Sequence, residues 1–358
     1  MIETEKLKSA ISTLYRIVPA RTSMPILQNI AFQSRNGRLE LTATDIEKSL
    51  TLYLNATEEY NFCVPAKTLN ELLSVISAPE IEIKQEDGKI IVNRKPGKTT
   101  IKTMDVAEFP LTDIQAHNIV DIDAETISYS LQKCLVSTSE DKSKSVLNGI
   151  LIKSTNGKLI ITSADSFRAT YTELLFGLPD FEVIIPKEAA QILLSVLKNG
   201  KAKMAINQNS IAFYTEDFKF ISQLISGNFP DVARLIPQSW ETEIEIEKTL
   251  LTRAVKSSLI FARDVANIIH FKIENNIITI SGESNETGED TTPIEKFQLN
   301  GKDIAEFAVN GTYLLDGLSL VGDKVVIKLN TATAPIGIYL PGDSTLKHIM
   351  MPMHLGRR

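Results

Sequence analysis

Cysteine is scarce: Cys63 and Cys134 are the only two in 358 residues. They make no disulfide framework and suit a reducing compartment, the cytoplasm. No apolar run approaches the ~18 residues of a membrane helix, and the N-terminal MIETEKLKSA has no apolar signal core. Neither membrane insertion nor membrane partners are expected. Histidine is nearly as rare. His117, His270, His348 and His354 do not pair at metal-ligand spacing, and there is no G-x-S-x-G elbow and no H-E-x-x-H. Gly97-Lys98-Thr99 echoes the end of a phosphate-binding loop, but Val92 stands where that loop needs its first glycine. The segment is read as a hairpin turn with solvated lysines. No catalytic residue, metal or cofactor is expected. The net charge of −6 argues weakly against nucleic acid, although net charge hides how charge is spread over faces.

What the chain does have is a repeat. Residues 26–45, ILQNIAFQSRNGRLELTATD, match residues 146–165, VLNGILIKSTNGKLIITSAD, at a constant offset of 120. Leu27 falls on Leu147, Asn36-Gly37 on Asn156-Gly157, Thr42 on Thr162 and Asp45 on Asp165. Alternating apolar residues on either side of Asn-Gly predict two strands joined by a type I′ turn. A third copy, IHFKIENNIITISGES (269–284), turns at Asn275-Asn276.

Each copy follows an amphipathic helix. In the first, Leu7, Ile11, Leu14 and Val18 share a stripe over 4–18, with Thr4 as the expected N-cap. A second helix opens at Val64-Pro65, Ile185-Pro186 and Val309-Asn310 and is followed each time by a strand pair. Phe109-Pro110 matches Phe229-Pro230, again at 120. The expected fold is therefore α+β, three similar domains at 1–117, 118–240 and 241–358, each with helices on antiparallel sheet.

Asp45 and Asp165 are the tempting carboxylates. Being 120 residues apart in equivalent places, they belong to separate domains and cannot share one substrate. The favoured reading is that each accepts backbone N–H bonds and holds its loop. Both cysteines read as core. Basic residues recur in or just after the first helix of each repeat: Lys6, Lys8 and Arg16; Lys133, Lys142 and Lys144; Lys248, Arg253, Lys256 and Arg263. Solvated helix faces are the plain reading, and one repeated positive surface is the alternative. Apolar residues within 164–169 (ADSFRA) and 349–353 (IMMPM) look exposed; the three methionines beside a proline fit plain core, and methionine-rich surfaces also suit several partners.

MPILQN (24–29), VLNGILI (146–152), TSADSFRAT (162–170), GNFPDVARLIP (227–237) and MMPMHL (350–355) occur in order along the chain. Together with the threefold repeat they resemble the bacterial DNA polymerase III beta-subunit family, the replicative sliding clamps. The resemblance implies a ring-shaped head-to-tail homodimer around duplex DNA, helices inside and antiparallel sheets outside. Size supports two chains. A 120-residue domain acts as a ball roughly 35 Å across, so three in a ring leave a hole of about 5 Å and six leave about 35 Å. A duplex with a ~12 Å major groove needs the larger hole.

The resemblance further implies partners: double-stranded DNA without sequence preference, a second copy, the DNA polymerase III alpha subunit, the clamp loader and other clamp-motif proteins. Arg21 matches a DNA-contacting loop and Lys144 a basic position before VLNG, with Lys142 and Lys187 added. A peptide pocket between the second and third domains would use Leu147, Ala164, Ser166, Phe167, Arg168, Ala169, Pro230, Leu235, Ile349, Met350, Met351, Pro352 and Met353. The family often has Thr-Asp-Gly-His-Arg-Leu where this chain has residues 164–169, so a smaller Ala169 and larger Phe167 reshape that pocket. Phe109, Leu259 and Ile260 match the dimer seam, Phe109 fitting a core reading equally well. The tail Gly356-Arg357-Arg358 runs past the usual end. Two rival functions are a peptide-binding scaffold with no DNA role, and an enzyme using Asp45 or Asp165.

Overall fold

The computed structural model describes residues 1–354 apart from positions 36, 57, 115–117, 303 and 305. Asn36 of the first expected turn, His117 with the domain boundary drawn beside it, and the tail 356–358 lie outside the described residues. The chain divides into two compact units, one of residues 1–129 and 188–226, the other of 130–187 and 227–358. The first and third repeats each stay whole, while the middle repeat is shared between them.

In the first repeat β1 (Ile2–Glu3) leads into α1 (Thr4–Tyr15), followed by β2 (Asn29–Arg35), β3 (Arg38–Thr44), β4 (Lys48–Leu54), β5 (Asn61–Pro65), α2 (Ala66–Val75), β6 (Glu80–Glu86), β7 (Lys89–Asn93) and β8 (Lys98–Lys102). The middle repeat has β9 (Asn118–Asp123), α3 (Ala124–Cys134), β10 (Gly149–Thr155), β11 (Lys158–Ala164), β12 (Arg168–Leu175), β13 (Phe181–Pro186), α4 (Lys187–Val196), β14 (Lys201–Ile206), β15 (Ser210–Tyr214) and β16 (Phe218–Gln223). The third has β17 (Thr242–Glu247), α5 (Lys248–Ala262), β18 (Ile268–Glu274), β19 (Ile277–Ser284), β20 (Gly288–Ile294), β21 (Phe297–Gly301), β22 (Glu306–Asn310), α6 (Gly311–Ser319), β23 (Lys324–Leu329), β24 (Ile336–Tyr339) and β25 (Leu346–Met350).

The first unit holds a four-stranded sheet β1-β6-β7-β8 and an eight-stranded sheet β5-β2-β3-β4-β16-β15-β14-β9. Phe32 and Phe62 stack in its core with ring centroids 4.9 Å apart. Leu7, Ile11 and Leu14 of α1 are buried as the helical spacing requires. Thr4 is not the cap. Glu3 holds that position, and Thr4 opens the helix with its backbone N–H on the carbonyl of Pro79 at 2.9 Å. The two-residue strand β1 pairs with β6, so the chain enters α1 already bonded to sheet and needs no side-chain cap. The helix also stops at Tyr15, and Ile17 rather than Val18 continues the buried stripe.

The second unit holds a nine-stranded sheet β13-β10-β11-β12-β25-β24-β23-β17-β21 and a four-stranded sheet β20-β19-β18-β22. Phe271 and Phe307 stack in the core with centroids 4.7 Å apart. Asn156 (φ 52) and Gly157 (φ 73) take the positive φ of a type I′ turn, and Asn275 (φ 51) and Asn276 (φ 58) do the same in the third repeat.

The offset of 120 is visible in the register of the sheets. Ala31 faces Thr42 and Thr42 faces Thr51, while Leu151 faces Thr162 and Thr162 faces Tyr171. Among the described residues no helix is long and apolar enough to cross a membrane.

Candidate functional site

The loop between β11 and β12 is built on Asp165. Its Oδ1 accepts the backbone N–H groups of Phe167 (2.7 Å) and Arg168 (2.9 Å), and its Oδ2 takes Arg168 Nε at 3.0 Å. The carboxylate is spent on holding a turn, as the plain reading expected. Asp45 does the same job with the N–H of Lys48 at 2.8 Å. Both cysteines are buried free thiols; burial pushes Cys63 up to about 12 and Cys134 higher still, so neither supplies a thiolate near neutrality.

Arg168 is held from three sides. Besides Asp165 it meets Asp316 of α6 through Nη1, and its guanidinium lies 4.3 Å from the ring centre of Tyr313. Phe167 stacks on the same Tyr313 ring, with centroids 6.2 Å apart and planes 24° from parallel. Tyr313 and Asp316 were not anticipated. Their spacing of three puts them on one helix face, but only the fold brings that face to residue 168.

Strand β25 completes the site. Arg168 pairs with Met350, Ala169 with Ile349 and Thr170 with His348, and the Met351 N–H bonds the Phe167 carbonyl at 2.7 Å. His348 is fully enclosed, its Nδ1 2.9 Å from Thr170 Oγ1, which in turn lies 2.7 Å from Ser137 Oγ. Burial first, then the nearby Arg168 charge, depress its pKa to about 3, so the ring is neutral.

The residues expected to line the pocket separate by exposure. Phe167 is 53% exposed, Leu235 54% and Met351 44%, and Ser166 and Pro230 are also exposed. Leu147, Arg168, Pro352 and Met353 are half-buried. Ala164, Ala169, Ile349 and Met350, which look exposed in the sequence, are buried, and for Met350 the core reading holds: they are strand residues whose side chains or small size place them in the sheet core. The loop 227–230 lies against the 145–148 turn, since a Cβ on Gly227 would sit 2.6 Å from Val146 Cγ1. Strand pairing thus brings together residues from 164–169 and 349–351, an apolar surface with one ring, one thioether and one fixed guanidinium.

Comparison with known proteins settles what kind of chain this is. Residues 1–113, 121–231 and 233–354 match the models for the N-terminal, central and C-terminal domains of the DNA polymerase III beta subunit. The chain belongs to the DNA polymerase III beta-subunit family. It is 25% identical over 364 residues to the beta sliding clamp of Haemophilus influenzae, with 99% of each chain covered, and 22% identical over 373 residues to that of Bacillus subtilis, with 98% of each covered. In fold it is similar to the Thermotoga maritima beta subunit (TM-score 0.91, 21% identity, 99% of each chain covered). It is equally similar to the Pseudomonas aeruginosa sliding clamp bound to griselimycin (TM-score 0.92, 22% identity, 99% of this chain and 98% of that one). Its function is that of the family, a sliding clamp in DNA replication.

Within this clamp chain the basic residues are not equivalent. Lys6 pairs with Glu3 at 2.7 Å and Lys8 with Glu5 at 3.7 Å. Lys133 Nζ donates to the Leu320 carbonyl at 2.7 Å and Lys248 Nζ to the Val321 carbonyl at 2.8 Å, so both bind the C-terminal end of α6. Burial, then the Lys248 charge, lower the Lys133 pKa. Lys133 and Lys248 are thus tied to that helix end, while Lys6 and Lys8 sit beside carboxylates on the surface. Arg253 and Lys256 of α5, with Arg263 just past its end, do form an exposed stripe, free of ion pairs among the described residues, with Ile260 (58% exposed) in the same row. Arg21 and Lys142 are exposed on loops; Lys144 bonds Ser166 and lies 3.9 Å from Asp141; Lys187 pairs with Glu140. Phe109 is 4% exposed, in a cluster with Ile26, Leu27, Ala31, Cys63 and Val106. Leu259 is also buried, which leaves Ile260 as the seam candidate with surface to offer.

Proposed function

We propose that two copies of this chain close head to tail into a ring that encircles duplex DNA and acts by topology, with no catalysis of its own. The observation that carries this reading is the bookkeeping of sheet edges. Where one repeat meets the next, the edge strand of one half-sheet pairs with the edge strand of another: β4 with β16, and β12 with β25. By position in the repeat β20 is the counterpart of β4 and β12, and β8 of β16 and β25. Among the described residues β20 pairs only with β19, and β8 only with β7. Such open edges call for a partner strand. A β20 of one copy beside β8 of the next repeats the same junction and closes the ring. Opposite charges favour it: Lys98 and Lys102 are exposed on β8, Glu289 on β20.

Inside the ring, Arg21, Lys142, Lys144, Lys187 and the α5 stripe face phosphates without reading bases, which permits sliding. Short peptides of the polymerase alpha subunit, the clamp loader and other partners dock at Phe167, Leu147, Leu235 and Met351. Two buried free thiols fit a reducing cytoplasm. The test is sedimentation followed by loading. The expected solution mass is twice 39.7 kDa, and the ring, once loaded by a clamp loader on a nicked circle, leaves when the circle is cut. A monomer at micromolar concentration, or retention on linear DNA, overturns the reading.

A further inference from the structure

Beyond the surface around Phe167, the second unit has a cleft of about 690 Å³ that the proposed function does not use. That size lies in the range of ligand sites, roughly 300–1,000 Å³. Three aromatic rings, those of Tyr171, Trp240 and Tyr339, line it. Trp240, the only tryptophan of the chain, meets Tyr339 edge-on with centroids 5.9 Å apart. Lys328 lies 4.9 Å from the Tyr339 ring centre and Lys347 5.6 Å from that of Tyr171. Lys328 is neutralised by Glu243 at 2.7 Å, and Glu173 by Lys158 at 2.6 Å. Lys347 is the lining cation with no ion pair among the described residues. Asp343, on the rim, is occupied by the N–H (2.8 Å) and hydroxyl (2.6 Å) of Thr345.

The cleft runs on from the Phe167 surface along the same two strands. Arg168 pairs with Met350 at one end of the β12–β25 ladder, and Tyr171 with Lys347 three residues along. By strand alternation Ile349 and Lys347 share a face of β25, Met351 follows the end of that strand, and four residues of extended chain span about 13 Å from Lys347 to Met351. Residues 230–237 border both places: Pro230 and Leu235 belong to the expected pocket, and Ala233, Ile236 and Pro237 line the cleft.

We propose that this cleft is a second subsite for the flank of a partner peptide, taking an acidic residue against Lys347 and an aromatic ring over Trp240, about four residues from the peptide's apolar core. The proposal rests on the peptide-docking reading of the Phe167 surface. An acidic side chain meets the unpaired ammonium, and an aromatic ring finds edge and face contacts on the indole.

The test titrates the full-length protein with the apolar pentapeptide Ser-Leu-Ser-Leu-Phe, alone, extended at its C-terminal end by Ser-Ser-Ser-Glu-Phe or Ser-Ser-Ser-Lys-Gly, or extended at its N-terminal end by the reversed segments Phe-Glu-Ser-Ser-Ser or Gly-Lys-Ser-Ser-Ser. Intrinsic fluorescence of Trp240 gives a second readout. One of the Glu-Phe extensions is expected to tighten binding about tenfold and perturb Trp240, and the Lys-Gly extensions to do neither. Lys347→Glu, a surface change, removes the gain and leaves the pentapeptide affinity unchanged; Trp240→Ala does the same and removes the fluorescence. Equal binding with and without the flank, or a gain that survives Lys347→Glu, overturns the proposal. The Ser-Ser-Ser-Glu-Phe segment is also titrated alone. A Trp240 response lost in Lys347→Glu supports the cleft even if the pentapeptide does not bind, an outcome that sinks the Phe167 pocket instead. No response from the segment alone and no gain in the extended peptides sink the cleft.

Discussion

The loops at Asp45 and Asp165 have one backbone design and two surfaces. In each, the aspartate N–H bonds a carbonyl three residues on, that of Lys48 (3.2 Å) or Arg168 (3.0 Å). In each, the next sheet segment donates to the residue before that basic one, Gln223 to the Glu47 carbonyl at 2.8 Å and Met351 to the Phe167 carbonyl at 2.7 Å. The pairing strands match as well: Lys48 faces Ser222 and Leu50 faces Phe220, as Arg168 faces Met350 and Thr170 faces His348. The side chains differ. Glu47 and Gln223 stand where Phe167 and Met351 stand, and Leu27 is 3% exposed where Leu147 is half-open. Duplication supplied a scaffold that aims side chains at one place, and substitution made one place apolar and the other polar. What docks is decided by residue chemistry, since the two hydrogen-bond frames are alike.

The largest expected effect comes from putting charge on the apolar surface that distinguishes the second loop from the first. Met351→Glu should weaken binding of the apolar pentapeptide by at least a hundredfold, and Leu147→Asp by a comparable factor, with dimer mass unchanged in sedimentation. An affinity that stays put would show that the Phe167 surface is not the docking site. Second in size is the basic residue of each loop. Arg168→Ala strips a mostly buried carboxylate of its partner and uncovers Tyr313, at a cost of about 2–3 kcal/mol in denaturant unfolding. Lys48→Ala, which uncovers no ring, should cost roughly 1–2 kcal/mol; equal losses would mean the Tyr313 contact contributes nothing.

Acid separates the loops next. His348 titrates near 3 when folded and near its ordinary 6.5 when unfolded, so the unfolded chain binds that proton first. Its contribution is fully present above about pH 6.5 and is lost as pH falls from there toward 3. Melting curves at pH 7, 6, 5 and 4 should therefore fall more steeply for the wild type than for His348→Gln. Parallel slopes would show that the ring is not held neutral. The first loop has Phe220 at that position and lacks this sensitivity. Smallest is Ile46, a β-branched residue at φ 80, held by its N–H on Thr44 Oγ1 at 3.0 Å. Ile46→Gly should raise stability by about 0.5 kcal/mol, relief of strain slightly outweighing the added freedom of the unfolded chain. A loss on thermal melting would mean that the exposed Ile46 side chain contributes more than its backbone costs.

Much of this was legible beforehand because it is local. Asn156-Gly157 closes its hairpin with its own φ angles, Asp165 bonds amides two and three residues away, and the core stripe of α1 follows from helical spacing. The failures were non-local. Lys133 and Lys248 looked like free basic residues until the C-terminal end of α6 was seen to bind them. Ile349 and Met350 look exposed in the sequence, and the pairing of their strand with β12 buries them. Thr4 looked like a cap because nothing in its neighbourhood announced the two-residue strand that pairs with β6.

By itself, then, the order of residues determined the repeated unit, its turns, its helical and strand faces and the family, since each depends on interactions over a few positions or on copies 120 residues apart. Only the tertiary structure decided that the middle repeat divides between two compact units. It also decided that Tyr313 and Asp316 clamp Arg168 and that Trp240 and Lys347 share a cleft. Those contacts join segments scores of residues apart, and no local periodicity encodes which distant face a strand edge will meet.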